Sequence, residues 1–112
     1  MLLARLASGE ARRVSYEAQV AVAAVALNRR RGAGFPKTLA GVVFQPGAFG
    51  SVSSGAIYGP ICDSCWQAAA DAIAGFDPTG GALYCFDPAT VRHPYFWRRP
   101  VARQIGRLVF AR

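Results

Sequence analysis

Among the residues able to do chemistry, Glu10 has the most unusual setting. It stands in the run Leu2-Leu3-Ala4-Arg5-Leu6-Ala7-Ser8-Gly9-Glu10-Ala11-Arg12, one of six acidic residues set against thirteen Lys and Arg. Leu3, Leu6 and Glu10 are spaced three and four apart, so in a helix the carboxylate extends an apolar stripe. A carboxyl group in apolar surroundings has its pKa raised, holds a proton near neutral pH and can donate it in a reaction. The competing reading is a solvated glutamate at a frayed helix end, kept ionised by Arg12 and Arg13.

Glycoside cleavage usually needs two carboxyl groups, one to protonate the leaving oxygen and one to act as nucleophile or to activate water. The five other acids are Glu17, Asp63, Asp71, Asp77 and Asp87. Asp77 and Asp87 each precede a proline and read as turn residues, Asp63 as a helix cap, and Asp71 as a solvent-facing helix position. Glu17 is nearest to Glu10 in sequence, but its place in a first helical turn accounts for it without catalysis.

Cysteines at 62, 65 and 85 leave one unpaired in any redox state. Cys62-x-x-Cys65 with Cys85 and the single His93 could be written as a zinc site, although the Cys85-to-His93 spacing is long for one and no second Cys-x-x-Cys follows. Small buried hydrophobes or one disulfide are the simpler readings. A thioredoxin-type motif would need a strand-rich lead into Cys62, which is absent. No metal and no cofactor is expected.

The elements that must position these residues are mostly helices. After the Leu2 to Ala11 run, Ser15 can cap a second helix with Glu17 in its first turn and Arg29 to Arg31 with Gly32 at its end. Tyr16, Val20, Ala23, Ala24 and Leu27 give it an apolar face, and Val22, Val25 and Ala26 fill much of the rest, so it should form the core. Thr38 can cap a short helix over Leu39 to Phe44. Residues 45 to 60, with their glycines, serines and prolines, read as a long irregular surface loop, a kind of segment that is often functional. A further helix begins near Asp63 or Ser64 as cap and ends near Gly75, with Trp66, Ala69, Ala70 and Ile73 as its apolar face. Asp77 to Gly81 is a turn, Ala82 to Phe86 a short strand, and Gln104 to Phe110 a closing strand or helix, strand being favoured by Ile105, Val109 and Phe110 and weakened by Gly106. The sum is a helix-dominated α+β domain with a small β element near the C-terminus.

The totals agree with one domain over residues 1–112, large enough for a core without help from a disulfide or metal. The chain is 53% apolar and 17% charged, which excludes disorder. Its longest apolar stretch, Val20 to Leu27, falls well short of the ~20 residues that span a bilayer, so no transmembrane segment is expected. Met1 to Ala4, interrupted by Arg5, is too short for the apolar region of a secretory signal. Either the chain stays inside or its export signal lies elsewhere. A net charge of +7 favours anionic partners. Nucleic acid is one such class, and Tyr95, Phe96 and Trp97 among arginines could stack bases. No helix-turn-helix, zinc-finger or RNP-like pattern accompanies them, so a nucleic-acid partner is not expected.

Several blocks in order carry a resemblance. Leu3-Ala4-Arg5-Leu6 and Ser8-Gly9-Glu10-Ala11-Arg12 lead into Tyr16-Glu17-Ala18-Gln19-Val20-Ala21-Val22-Ala23-Ala24-Val25 and Leu27-Asn28-Arg29. Phe35-Pro36, the stretch from Leu39 to Phe49, Asp77-Pro78-Thr79-Gly80-Gly81-Ala82, Asp87-Pro88-Ala89-Thr90, Arg99-Pro100 and Ile105 to Phe110 continue it. Together they resemble the SleB/CwlJ cell-wall hydrolase family, the spore cortex-lytic enzymes, over nearly the whole chain. The resemblance implies a lysozyme or lytic-transglycosylase-like fold that cuts peptidoglycan glycan strands in the cell wall or spore envelope; a monomer is expected. It places the catalytic glutamate at Glu10. The three cysteines depart from the family's pattern, and the resemblance starts inside the family's first helix, without an upstream signal or wall-binding module.

A lytic transglycosylase also answers the shortage of acids. The sugar's own C6 hydroxyl attacks the anomeric carbon, so one glutamate serves first as acid and then as base and leaves a 1,6-anhydro-muramic end. Hydrolysis by the same family is the alternative outcome. Gln45, Phe49 and Ser51, with Tyr84, Phe86 and Trp97, are the candidates to line a sugar groove, ordinary core packing being the other reading of each aromatic.

Overall fold

The computed structural model describes residues 1–90 and 98–112; Trp97, His93, Tyr95 and Phe96 lie outside them. Five helices come first. They are α1 (Leu2–Ala11), α2 (Tyr16–Arg31), α3 (Leu39–Val43), α4 (Gly50–Ser54) and α5 (Asp63–Ile73), with a 3-10 turn at Ala56–Tyr58 between the last two. Strands β1 (Tyr84–Phe86), β2 (Val101–Ile105) and β3 (Leu108–Ala111) close the described chain.

α2 is the core helix. Ser15 has extended backbone, and its hydroxyl accepts from the Ala18 amide, which satisfies one of the open donors of the first turn. Every residue from Ala18 to Leu27 is buried, so the helix is apolar on all sides because it is packed on all sides. It meets α1, α5, α3 and β1. The many alanines among those residues let the neighbouring helices approach closely, while each buried Val or Leu contributes about 1.5–3 kcal/mol of transfer free energy. Thr38 caps α3 by accepting from the Gly41 amide.

Four expectations are corrected. Residues 45 to 60 are not one irregular loop, because Phe49 and Ile57 are buried and pin α4 and the 3-10 turn against α1. Gly55, at φ +84°, supplies the left-handed step between them. α5 is capped by neither Asp63 nor Ser64: its N-cap is Cys62, which makes no side-chain cap, and the Ser64 hydroxyl instead donates to Gln19 Oε1 at 2.8 Å. Its buried face is Cys65, Ala68, Ala69 and Ala72, leaving Trp66 46% and Ile73 65% exposed. Small side chains face α2 there because close helix packing gains more contact than a bulky residue held at a distance.

The closing segment is a hairpin, not one strand. β2 and β3 pair antiparallel with Ile105 opposite Leu108, and Gly106 takes φ +59° at the first turn position, as a type II′ turn requires. β3 runs in the middle of the sheet, in the order β1-β3-β2. It is buried on both faces: Leu108 and Phe110 join the main core, while Val109 and Ala111 pack with Phe86 and Tyr84. Asp77 makes the turn expected of it. Oδ1 accepts from the Thr79 amide at 2.8 Å and hydroxyl at 2.6 Å, and Oδ2 from the Gly81 amide and Asn28 Nδ2, both at 2.9 Å. Among the described residues no helix is long and apolar enough to cross a membrane.

Candidate active site

Glu10 lies in the last turn of α1, one residue before its end, where the residue before it decides what comes near. A Cβ on Gly9 would lie 2.7 Å from Ser51 Cβ, 3.0 Å from Ser51 Oγ and 3.2 Å from Ile57 Cα. Without one, α4 lies directly against α1, and the Ser51 amide donates to Glu10 Oε2 at 2.7 Å. No other group among the described residues hydrogen-bonds Glu10, so Oε1 is the oxygen left for a ligand.

Glu10 is half-buried in the wall of a cavity of about 410 Å³, within the range of small-ligand sites. α1 and α4 provide one side with Gly9, Glu10, Ser51 and Ser54; the β elements provide the other with Cys85, Phe86, Asp87, Thr90, Arg107 and Leu108. A second cavity of about 230 Å³ is lined by Arg29, Phe35, Gln45, Pro46 and Tyr84 and shares Gly47 and Ala48 with the first. The two are therefore adjacent, and together they make an extended cleft on either side of residues 47 and 48.

The sequence candidates divide between these spaces. Glu10, Ser51 and Phe86 line the larger cavity, and Gln45 and Tyr84 the smaller. Phe49 lines neither; it is 4% exposed and packs beneath the Arg29 guanidinium, whose carbon lies 5.2 Å from its ring centroid. Trp97 falls outside the described residues. Among the described residues, two buried side-chain oxygens have no hydrogen-bond partner, Gln45 Oε1 and Ser51 Oγ. An orphaned buried acceptor or hydroxyl costs on the order of 1–3 kcal/mol, and both belong to cleft-lining residues.

Of the five other acids only Asp87 reaches the larger cavity. Its Oδ1 accepts from the Ala89 amide at 2.9 Å, as its turn position predicts, and its Oδ2 pairs with Arg107 Nε at 3.3 Å. Glu17 is held by Arg103 at 2.9 Å on the surface, and Asp71 accepts from Tyr16 Oη and Gln67 Nε2. Sequence reasoning finds the Asp87 turn but not its place in the cleft, which depends on the hairpin carrying Arg107. It also misses Arg29, 4% exposed at the end of α2, whose Nε donates to Leu83 O at 2.6 Å and whose guanidinium stands over Phe35, Phe49 and Tyr84. In sequence Arg29 is one of three consecutive arginines and nothing separates it from its exposed neighbour Arg31.

Burial pushes the Cys85 thiol up, the negative charge of Glu10 adds to this and Arg29 opposes it, so a thiol and not a thiolate lines the cleft. Cys62 and Cys65 form a disulfide, one of the pairings their spacing left open. Among the described residues no three His, Cys, Asp or Glu side chains gather as a metal site.

The chain belongs to the cell wall hydrolase family, whose pattern it matches over residues 14–111. The match begins just after Glu10. More particularly, it is 48% identical over 111 residues to a spore cortex-lytic enzyme of Oceanobacillus iheyensis, covering 99% of this chain and 40% of that protein. It is 46% identical over 111 residues to the spore cortex-lytic enzyme of Bacillus cereus, covering 99% and 43%. The chain thus spans about two fifths of the length of these curated relatives. The crystal structure of the catalytic domain of Bacillus cereus SleB superimposes with a TM-score of 0.89 at 46% identity, covering 99% of this chain and 87% of that one. The catalytic domain of the germination-specific lytic transglycosylase SleB from Bacillus anthracis does so with a TM-score of 0.90 at 45% identity, covering 99% and 91%. The fold is the lysozyme-like α+β fold expected from the sequence.

Proposed function

We propose that this domain cleaves the glycan strands of peptidoglycan, in cell wall or spore cortex, as a lytic transglycosylase in which Glu10 is the general acid and then the general base. The observation that carries the proposal is the asymmetry of the Glu10 carboxyl group: Oε2 is occupied by the Ser51 amide, while Oε1 is left for the cleft. The carbonyl oxygen of a neutral carboxyl group is its better acceptor, so an N–H donor on Oε2 favours the acid form that carries its proton on Oε1. From Oε1 it passes to the glycosidic oxygen as the bond to the anomeric carbon breaks. The carboxylate left behind is stabilised by the same amide, through a hydrogen bond strengthened by the new charge. Glu10 then takes the proton of the C6 hydroxyl as that oxygen closes on the anomeric carbon, which returns the acid and gives a 1,6-anhydro end.

Asp87 supplies the observation that favours a second reading. As a carboxylate in the same cavity it could activate water, and the outcome would be hydrolysis. Its two oxygens are engaged by the Ala89 amide and Arg107, which fits a structural wall better than a free base. Digestion of purified sacculi followed by mass spectrometry separates the two. Anhydro ends are expected with the native chain, and a rate loss on the order of 10²–10⁴-fold with Glu10→Gln, the usual worth of a general acid–base group. Reducing ends alone would overturn the transglycosylase reading, and an unimpaired Glu10→Gln would remove Glu10 from the chemistry altogether.

A further inference from the structure

The Cys62–Cys65 disulfide plays no part in the cleft, yet its two sulfurs are placed unequally. Cys65, in the first turn of α5, is 0% exposed, whereas Cys62 is the N-cap and is partly exposed, its Sγ 3.7 Å from Ser64 Oγ at the surface. Attack on a disulfide requires an incoming thiolate to reach one sulfur, and only that of Cys62 is within reach of solvent.

The helix end also suits the sulfur that would be released. No side chain caps the first turn of α5, and with the Cys65 amide turned to Cys62 O, the Asp63 and Ser64 amides are those open to an acceptor at the N-cap position. A Cys62 thiolate would sit at that position and be stabilised by those amides, as thiolates at helix N-termini are. Asp63, exposed beside it, opposes this through solvent-screened charge only. The backbone on either side is held without the sulfurs. The Cys62 amide donates to Ser8 Oγ at 3.1 Å, the Ser8 hydroxyl donates to Pro60 O at 3.2 Å, the Cys65 amide donates to Cys62 O at 3.0 Å, and the Ser64 hydroxyl ties the turn to Gln19. Opening the bond leaves the two sulfurs facing each other, ready to close again.

We propose that Cys62–Cys65 is a thiol–disulfide exchange site for small-molecule thiols, with Cys62 as the attacked sulfur and Cys65 as the resolving one. A thiolate RS⁻ bonds to Cys62 Sγ, the Cys62–Cys65 bond breaks, and Cys65 leaves as a thiolate that takes up a proton. The mixed disulfide then has two fates. Cys65 attacks Cys62 and expels RS⁻, restoring the starting state, or a second RS⁻ attacks the R sulfur, giving RSSR and a Cys62 thiolate. By the second route two thiols are oxidised and the protein disulfide is reduced by two electrons. The cycle removes or restores a covalent clamp at the joint where Ser8 of α1 meets the entrance to α5.

The test is done on the folded chain. Native protein is treated with dithiothreitol, then alkylated and mapped by mass spectrometry; both Cys62 and Cys65 should be found as thiols, with Cys62 alkylated roughly tenfold faster than buried Cys85. In parallel, Cys65→Ser is incubated with oxidised glutathione and should acquire one glutathione, on Cys62, whereas Cys62→Ser should acquire none on Cys65 without denaturant. A disulfide that resists dithiothreitol until the protein is unfolded would overturn the proposal, as would glutathione captured at Cys65. The dithiothreitol arm uses the unaltered chain, so it decides the matter even where a variant misfolds.

Discussion

At the scale of single residues, the cleft depends as much on a missing side chain as on those present. Gly9 sits inside a helix, where alanine ordinarily gains up to about 1 kcal/mol over glycine. Here the added methyl would meet Ser51 Cβ at 2.7 Å and the Ile57 backbone at 3.2 Å, atoms that cannot swing aside. Overpacking of this kind costs about 1–3 kcal/mol and wins over propensity. Gly9→Ala is therefore expected to lower the melting temperature, read by circular dichroism. By pushing the Ser51 amide away from Glu10 it should also slow sacculus cleavage on the order of 10–100-fold while leaving the product ends the same, since misplacement of about 1 Å has that reach. The sequence block around Glu10 makes the glutamate legible, but not the reason for the glycine before it, because that reason lies 42 positions away at Ser51.

At the scale of elements, the caps of α2 and α3 are readable, whereas the cap and the packing face of α5 are not. Ser15 and Thr38 act where their types predict, since a cap is a local bond between a side chain and an amide a few residues on. The inward face of α5 escapes the sequence because alanines on several sides leave no apolar period to follow, and the side that goes inward is set by how closely α2 can be approached. The cleft partners of Glu10 are hidden for the same non-local reason, as Asp87 and Arg107 meet only once the β2–β3 turn has formed. Between helix and sheet stands Asp77, which joins α2 through Asn28 to the turn before β1. Burial pushes its carboxyl up, but hydrogen bonds from Thr79 and Asn28 and the amides of Thr79 and Gly81 outweigh this and hold it below the ordinary range. A folded-state pKa below the unfolded one gives stability that is complete above the unfolded value and is lost as pH falls through the folded value. Asp77→Ala should thus cost about 2–3 kcal/mol at neutral pH from its lost hydrogen bonds. In urea titrations the difference from the native chain should shrink as pH drops below about 4. A difference that stayed constant down to strong acid would show that the carboxylate's charge is not involved.

At the scale of the whole molecule, charge and topology set how the domain meets its substrate and how it is made. With a net charge of +7 and six acids, it should adhere to anionic wall polymers through a field that salt screens. Raising ionic strength from 0.01 to 0.15 M shortens the screening length from about 30 to about 8 Å. Retention on sacculi, measured by co-sedimentation, should fall over that range, whereas cleavage of a short uncharged glycan should not change; equal salt sensitivity of both would place the effect in the cleft. The fold class is open to sequence reading because the helical half is built from local signals, and the sheet is only half visible there because its pairings are long-range. That long-range order has a consequence during synthesis. β1 takes its place in the sheet by pairing with β3, so the wall bearing Asp87 and Arg107 waits for residues 108–111 to leave the ribosome. A nascent chain can already carry Glu10 on a packed helix, yet it holds only half a cleft, and under the proposed mechanism it should leave any glycan it touches uncut.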